Sequence, residues 1–190
     1  MTVARLSGPS DTEDRAVSRP GLPHYSLAAA AGLTFRPVTT EDMGFLFRLY
    51  ASTRADELAP LPWSSEQKSA FLAMQFEAQH SHYLKHYPDA LWLVIERDGA
   101  PLGRLYLEHW TSQHRIIDIA LMPAARGQGL GSALLRDILD EAGRRARAVS
   151  IHVEKENPAM RLYKRLGFET VEDKGVYDLL QWHPPAAATP

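Results

Sequence analysis

Residues 116–131 read IIDIALMPAARGQGLG, and the order of residue types in this stretch decides the architecture of the chain. A short apolar run from Ile116 closes at Pro123, a basic residue follows at Arg126, and glycines then stand at alternate positions, Gly127, Gly129 and Gly131. The next segment, SALLRDILDEAGRRAR, continues a four-residue apolar spacing through Leu130, Leu134, Ile138, Ala142 and Ala146, the period of an amphipathic helix. The unit is therefore strand, glycine-rich turn, helix. A turn of this kind leaves backbone N–H groups unpaired at the positive end of a helix dipole, which makes it a cradle for an anion and above all for phosphate.

Two familiar phosphate loops do not fit. A Walker loop needs Gly-Lys-Ser/Thr at the helix start, which is absent. A dinucleotide fingerprint has the spacing G-x-G-x-x-G in an early strand–helix unit, whereas the spacing here is G-x-G-x-G and the unit lies late in the chain.

The run Arg126-Gly127-Gln128-Gly129-Leu130-Gly131 resembles the R/Q-x-x-G-x-G/A signature of the GNAT acyltransferase superfamily. A second stretch, Glu156-Asn157-Pro158-Ala159-Met160-Arg161-Leu162-Tyr163-Lys164-Arg165-Leu166-Gly167-Phe168, resembles that family's later motif, in which an Asn precedes a helix carrying Leu-Tyr and ending in Leu-Gly-Phe. In most members the Asn stands one residue further from the Tyr, a position held here by Glu156. The resemblance covers roughly Leu33 to Trp182.

The resemblance implies an α/β (α+β) fold: a mixed, mostly antiparallel sheet of six to seven strands, a splayed parallel pair at its centre, and helices on both faces. It implies an acyl-coenzyme A, most simply acetyl-CoA, as co-substrate. The pyrophosphate would rest on the amides of Gly127, Gln128, Gly129, Leu130, Gly131 and Ser132, with Arg126 leading into the turn. The pantetheine arm would run beside Ile119, Ala120 and Leu121, and Asn157 would contact the cofactor, cap its helix, or do both. Tyr163 matches the tyrosine that protonates the departing thiolate. A phenol near pKa 10 is matched to a thiol of comparable basicity.

The proton acceptor is a separate question, because a lysine-like amine costs about 4–5 kcal/mol to deprotonate at pH 7. Asp118 is the leading candidate base, since it shares a strand face with Ala120 by the two-residue period. Glu108 and His109 are the alternatives. The expected activity is N-acetyl transfer by direct attack of a primary amine of a small molecule or peptide. A non-catalytic acyl-CoA-binding module is the competing expectation.

The rest of the chain sets bounds. Its 190 residues suit one domain, and 45% hydrophobic with 23% charged residues is a globular composition. No apolar run approaches the ~20 residues of a membrane span, and no basic segment followed by an apolar one opens the chain, so neither a membrane nor a secretory signal is expected. Cysteine is absent, which excludes disulfides and fits the cytoplasm. A formal charge of −2 offers no general attraction to nucleic acid. The basic cluster Arg144, Arg145 and Arg147 lies at a helix C-terminus, where cations favour the dipole.

In order, residues 1–31 read as a flexible leader, 32–183 as a single acyltransferase domain and 184–190 as a disordered tail. Leu33 to Pro37 alternates as a strand; Thr40 is the expected cap of a helix that fades by Arg54; the prolines of Asp56–Trp63 break regular structure, and Pro60, Pro62 and Trp63 are candidate pocket wall. Ser64 or Ser65 starts a long helix carrying Glu77, His80, His82 and His86. His82 and His86 have i, i+4 spacing, but no third ligand is placed beside them, so no metal is expected. Asp98-Gly99 marks a hairpin, Asn157-Pro158 a helix start, and the terminal hairpin's exposed edge is the candidate contact of a homodimer.

Overall fold

The computed structural model describes residues 21–185; most of the expected leader and the last five residues lie outside that range. Seven strands form one sheet among the described residues: β1 (Leu33–Pro37), β2 (Leu91–Arg97), β3 (Ala100–His109), β4 (Gln113–Leu121), β5 (Ala148–Glu154), β6 (Glu169–Lys174) and β7 (Tyr177–Trp182), in the order β1-β2-β3-β4-β5-β7-β6. All neighbours are antiparallel except β4 and β5, which the helix α4 (Leu130–Arg144) connects in parallel. Asp98 and Gly99 both take positive φ, the backbone of a tight two-residue hairpin.

Helices cover both faces. On one side α4 buries Leu130, Leu134, Ile138 and Ala142, the residues its period selects, against Leu93, Ile95, Leu105, Leu107 and Ile116 of the sheet. Ala146 falls outside this helix, at φ 52° in the turn that follows. On the other side α2 (Met43–Leu58) and α3 (Ser65–His86) enclose Phe45, Leu46, Leu49, Tyr50, Phe76 and Val94. The short helix α5 (Met160–Arg165) completes the set between β5 and β6.

Several expectations need correction. The cap at the start of the second helical segment is Thr39 rather than Thr40: a 3-10 turn, Thr40–Asp42, precedes α2, and Asp42 Oδ2 accepts from Thr39 N at 2.7 Å. Helix α2 runs on to Leu58 because Leu58 is buried and Pro60 lies beyond the end. Trp63 packs edge-on against Phe71 and, like Pro60 and Pro62, stays out of the central cavity. Residues Ser26–Ala30 form helix α1, docked on α4: Asp137 Oδ2 accepts from Ala28 N at 2.8 Å, and its Oδ1 accepts from Leu27 N at 3.1 Å. An acidic side chain from the neighbouring helix thus supplies the N-terminal acceptor that α1 lacks locally.

Asp42 also receives two 2.7 Å hydrogen bonds from Arg36. That guanidinium holds the carboxyl well below the usual carboxylate range, against the opposing effect of its burial and helped by the Thr39 amide. A depressed folded pKa means that the stabilisation is complete above the unfolded value, near pKa 3.9, and is lost as pH falls through and below it. Asp42→Asn is expected to cost about 1.5–3 kcal/mol at pH 7, with the difference from the parent closing below roughly pH 3. Urea unfolding across that range checks it; a difference independent of pH would show that the ion pair is not its source.

Gly103 on β3 faces Leu121 of β4, and a Cβ there would sit 2.6 Å from both Ala120 O and Leu121 Cδ2. Gly103→Ala is therefore expected to destabilise by roughly 1–3 kcal/mol. A thermal midpoint equal to the parent's would mean that the strands separate there without cost.

Candidate active site

The two parallel strands part. Their ladder joins Gln113–Ile116 to Ala148–Ile151 and stops. At the same level β4 carries a bulge: Ile116 pairs with Leu107 and Asp118 with Tyr106, leaving Ile117 unmatched in β3. A bulge adds twist and turns the strand, so beyond it Asp118–Leu121 stays with β3 while His152–Glu154 stays with β7. Between them opens a cavity of about 670 Å³ whose wall includes Tyr83, Arg104, Asp118, Ala120, His152 and Tyr163.

At the head of this wedge lies the glycine turn. Pro123–Ala125 forms a 3-10 turn, and Gly127 and Gly129 take φ of 72° and 81°, which L side chains rarely adopt. Arg126 folds back, its Nε donating to Leu121 O at 2.8 Å and its NH2 to Ser52 Oγ at 3.2 Å, which ties the turn to the end of β4 and to α2. Gln128 Nε2 braces the turn on Ala124 O at 2.6 Å. A Cβ built on Gly127 or Gly129 would meet nothing within 4 Å, so the turn faces open space. The first amides of α4, with no intrahelical acceptor, lie just beyond. An open, donor-lined helix start of this shape fits a pyrophosphate. Ile119, Ala120 and Leu121 follow in extended conformation toward it.

Tyr163, on α5, is 4% exposed, packs edge-on against Phe168, and reaches the cavity. Burial pushes its phenol pKa up, and the charge of Asp118 adds to the rise, so it stays protonated across the working range. Asn157 also lines the cavity; its Oδ1 accepts from Ala159 N at 2.8 Å, and α5 itself starts only at Met160, later than the expected Pro158.

Asp118 is in the cavity but not free there. Arg104 grips it with two bonds, Nε to Oδ1 at 3.1 Å and NH2 to Oδ2 at 2.7 Å, and Tyr83 OH donates to Oδ2 at 3.3 Å. Arg104 is itself buried, bonds Gln79, and lies 5.3 Å over the Tyr106 ring. The other two candidate bases are elsewhere: Glu108 accepts from Trp110 Nε1 at 2.6 Å, and His109 faces α4, so neither lines the cavity.

Sequence reasoning passed over other groups in the cavity wall. His152, two residues before Glu154 and two after Ser150, is on the cavity side of β5; Arg115 contacts its Nδ1 and also bonds Ser150 Oγ. Burial, with the positive Arg115 adding, pulls the His152 pKa down to about 4, so the ring is neutral at working pH. Arg54 bridges Glu57 and Glu154, at 2.9 and 2.7 Å. The period of AVSIHVE was the available signal for His152 and Glu154; nothing in the sequence joined Arg104 to Asp118.

An extended sheet with one parted parallel pair, and a glycine turn at the mouth of the gap, defines an acyltransferase architecture. The acetyltransferase (GNAT) family profile matches residues 54–168, and the chain belongs to that family. Among relatives, it is 29% identical over 156 residues to a Bacillus subtilis (strain 168) protein whose proposed activity is ribosomal protein bS18-alanine N-acetyltransferase; the match takes in 77% of this chain and 92% of that one. It is 31% identical to mycothiol acetyltransferase from Mycolicibacterium vanbaalenii over 70% of this chain, and it spans about half of that relative, 49%. The fold is shared with the PaiA N-acetyltransferase of Thermoplasma acidophilum, solved in complex with coenzyme A: TM-score 0.60, 15% identity, 80% of this chain and 98% of the other. No helix among the described residues is long and apolar enough to cross a membrane.

Proposed function

We propose that this chain transfers an acetyl group from acetyl-coenzyme A to a primary amine of a small molecule or peptide, by direct attack. The observation that carries the proposal is the wedge where β4 and β5 part, with the open glycine turn at its mouth and Tyr163 in its wall. The amides of Gly127–Ser132 hold the pyrophosphate. Residues Ile119–Leu121 offer the strand edge that β5 has left, where a backbone N–H polarises the thioester carbonyl and stabilises the oxyanion. Tyr163, kept as a neutral phenol, donates its proton to the departing thiolate. The relatives' activities support an N-acetyl acceptor, and the mixed wall of Arg, Glu, His and Tyr admits a polar amine.

For Asp118 the surroundings favour a positioning role over that of a base. Both its oxygens are engaged, Oδ1 and Oδ2 by the buried Arg104 and Oδ2 also by Tyr83, so the carboxylate is held as one half of an ion pair. The amine then reacts in its neutral form, and its proton leaves through the solvated cavity. His152 is already neutral above about pH 4 and adds no inflection at neutral pH. The expected result is a kcat/KM that rises tenfold per pH unit up to the acceptor's own pKa and shifts when an amine of lower pKa is used. A thiol-release assay over an amine panel tests both points. An inflection near pH 6–7 common to all acceptors would assign the proton to an enzyme group, and coenzyme A binding without turnover on any amine would favour a binding module.

A further inference from the structure

At the end of the sheet far from the glycine turn, antiparallel pairing sets His109, the last residue of β3, opposite His114 at the start of β4. Their rings lie 4.3 Å apart, centroid to centroid. Both project to the face covered by α4, as do Leu107 and Ile116 in the same strands. Helix α4 brings Glu141 to them, three residues after Ile138 and therefore on the same buried stripe; its Oε1 is 3.6 Å from His109 Nε2. One donor atom from each of the three residues can be chosen so that all lie within 4.8 Å of one another.

We propose that His109, His114 and Glu141 form a transition-metal site of the zinc type. His114 is 0% and His109 7% exposed, yet apart from the 3.6 Å approach of Glu141 to His109 Nε2 none of their four ring nitrogens has a hydrogen-bond partner. Two other charged groups of this core are well held: Asp137 by three donors, Arg104 by Asp118 and Gln79. An unpaired buried polar group costs about 1–3 kcal/mol, and here four such atoms stand on two adjacent rings. Two imidazoles and a carboxylate are the donor set of three-ligand zinc sites, in which the fourth position is left to water or a further ligand. A cavity of about 370 Å³ adjoins His109 and Glu141 and is lined by His24, a second route to a nitrogen ligand. Oxygen-preferring cations such as calcium and magnesium are excluded by the two imidazoles.

Cationic neighbours bear on the strength of the site. Arg145 lies 3.2 Å from Glu141 Oε1 and competes for it, but it is about half exposed (49%) and can turn to solvent. Arg144 shares the cavity wall and lowers the affinity for any cation. Glu141 stands twelve residues, roughly 18 Å of helix, from Gly129. The ion would pin the β3–β4 hairpin to α4 from the end opposite the pyrophosphate turn, a structural role with no part in acetyl transfer. Among the described residues, the i, i+4 pair His82 and His86, whose rings also approach to 4.3 Å, is not part of such a three-ligand cluster.

The test uses the full-length, untagged chain, stripped with a chelator and titrated with zinc chloride by calorimetry, with the thermal midpoint read in parallel. One equivalent is expected to bind and to raise the midpoint; Glu141→Gln is expected to weaken binding more than about 100-fold, beyond the 10–100-fold typical of an outer partner. The His82→Gln/His86→Gln double variant is expected to bind as the parent does. Should Glu141→Gln fail to fold, His109→Gln is read in the same titration, and the cobalt-loaded parent is expected to show the visible bands of tetrahedral coordination. Absence of stoichiometric zinc binding by the parent overturns the proposal, as does undiminished binding by a folded Glu141 or His109 variant, or loss of binding in the His82/His86 variant.

Discussion

Gly129→Glu is expected to weaken acetyl-coenzyme A binding at least about 100-fold, equivalent to roughly 3 kcal/mol, while leaving a folded protein. Two effects combine. Gly129 sits at φ 81°, and an L residue there costs about 1–2 kcal/mol. The new carboxylate also stands where the amides present positive charge to a phosphate, repelling the ligand and competing for the same donors. Gly129→Ala separates the two: its Cβ meets nothing within 4 Å in the free protein, so the alanine variant reports the backbone effect and the bulk presented to the ligand without the charge. Calorimetry with coenzyme A reads both. Equal affinity in the parent and the glutamate variant would remove the turn from the site.

Tyr163→Phe is expected to lower kcat by roughly 10²–10⁴-fold, the range for loss of a positioned general acid, and to leave the affinity for coenzyme A unchanged. The ring stays: its edge contact with Phe168 and its burial are those of the benzene ring, and phenylalanine keeps both. A purely structural tyrosine would give the reverse pattern, a lower thermal midpoint with kcat preserved. Comparing thiolate release with midpoint for the same preparation decides between them.

Some of this protein is written in short stretches of chain. The period of α4, the hairpin at Asp98-Gly99, the glycine turn and the cap at Ser64 depend on residues within a turn or two of each other, so local pattern suffices to read them. The end of α2 escapes such a reading for the complementary reason. Leu58 and Arg54 extend α2 through contacts with the core and with Glu154, 100 residues away in sequence. Docking of α1 likewise depends on Asp137, more than 100 positions on.

The site divides along the same line. Gly127, Gly129, Arg126 and Tyr163, the candidate site residues, stand in contiguous motifs that the sequence by itself displays, and the sequence also determined the parallel pair that one crossover helix dictates. Only the tertiary structure decided the state of Asp118, because a carboxylate's chemistry depends on what touches it. Arg104 arrives from the neighbouring strand and Tyr83 from a helix on the face above, through registers that no single segment encodes. The His109–His114–Glu141 cluster is of the same kind, since strand pairing and helix docking bring together three side chains that the sequence presents as unrelated.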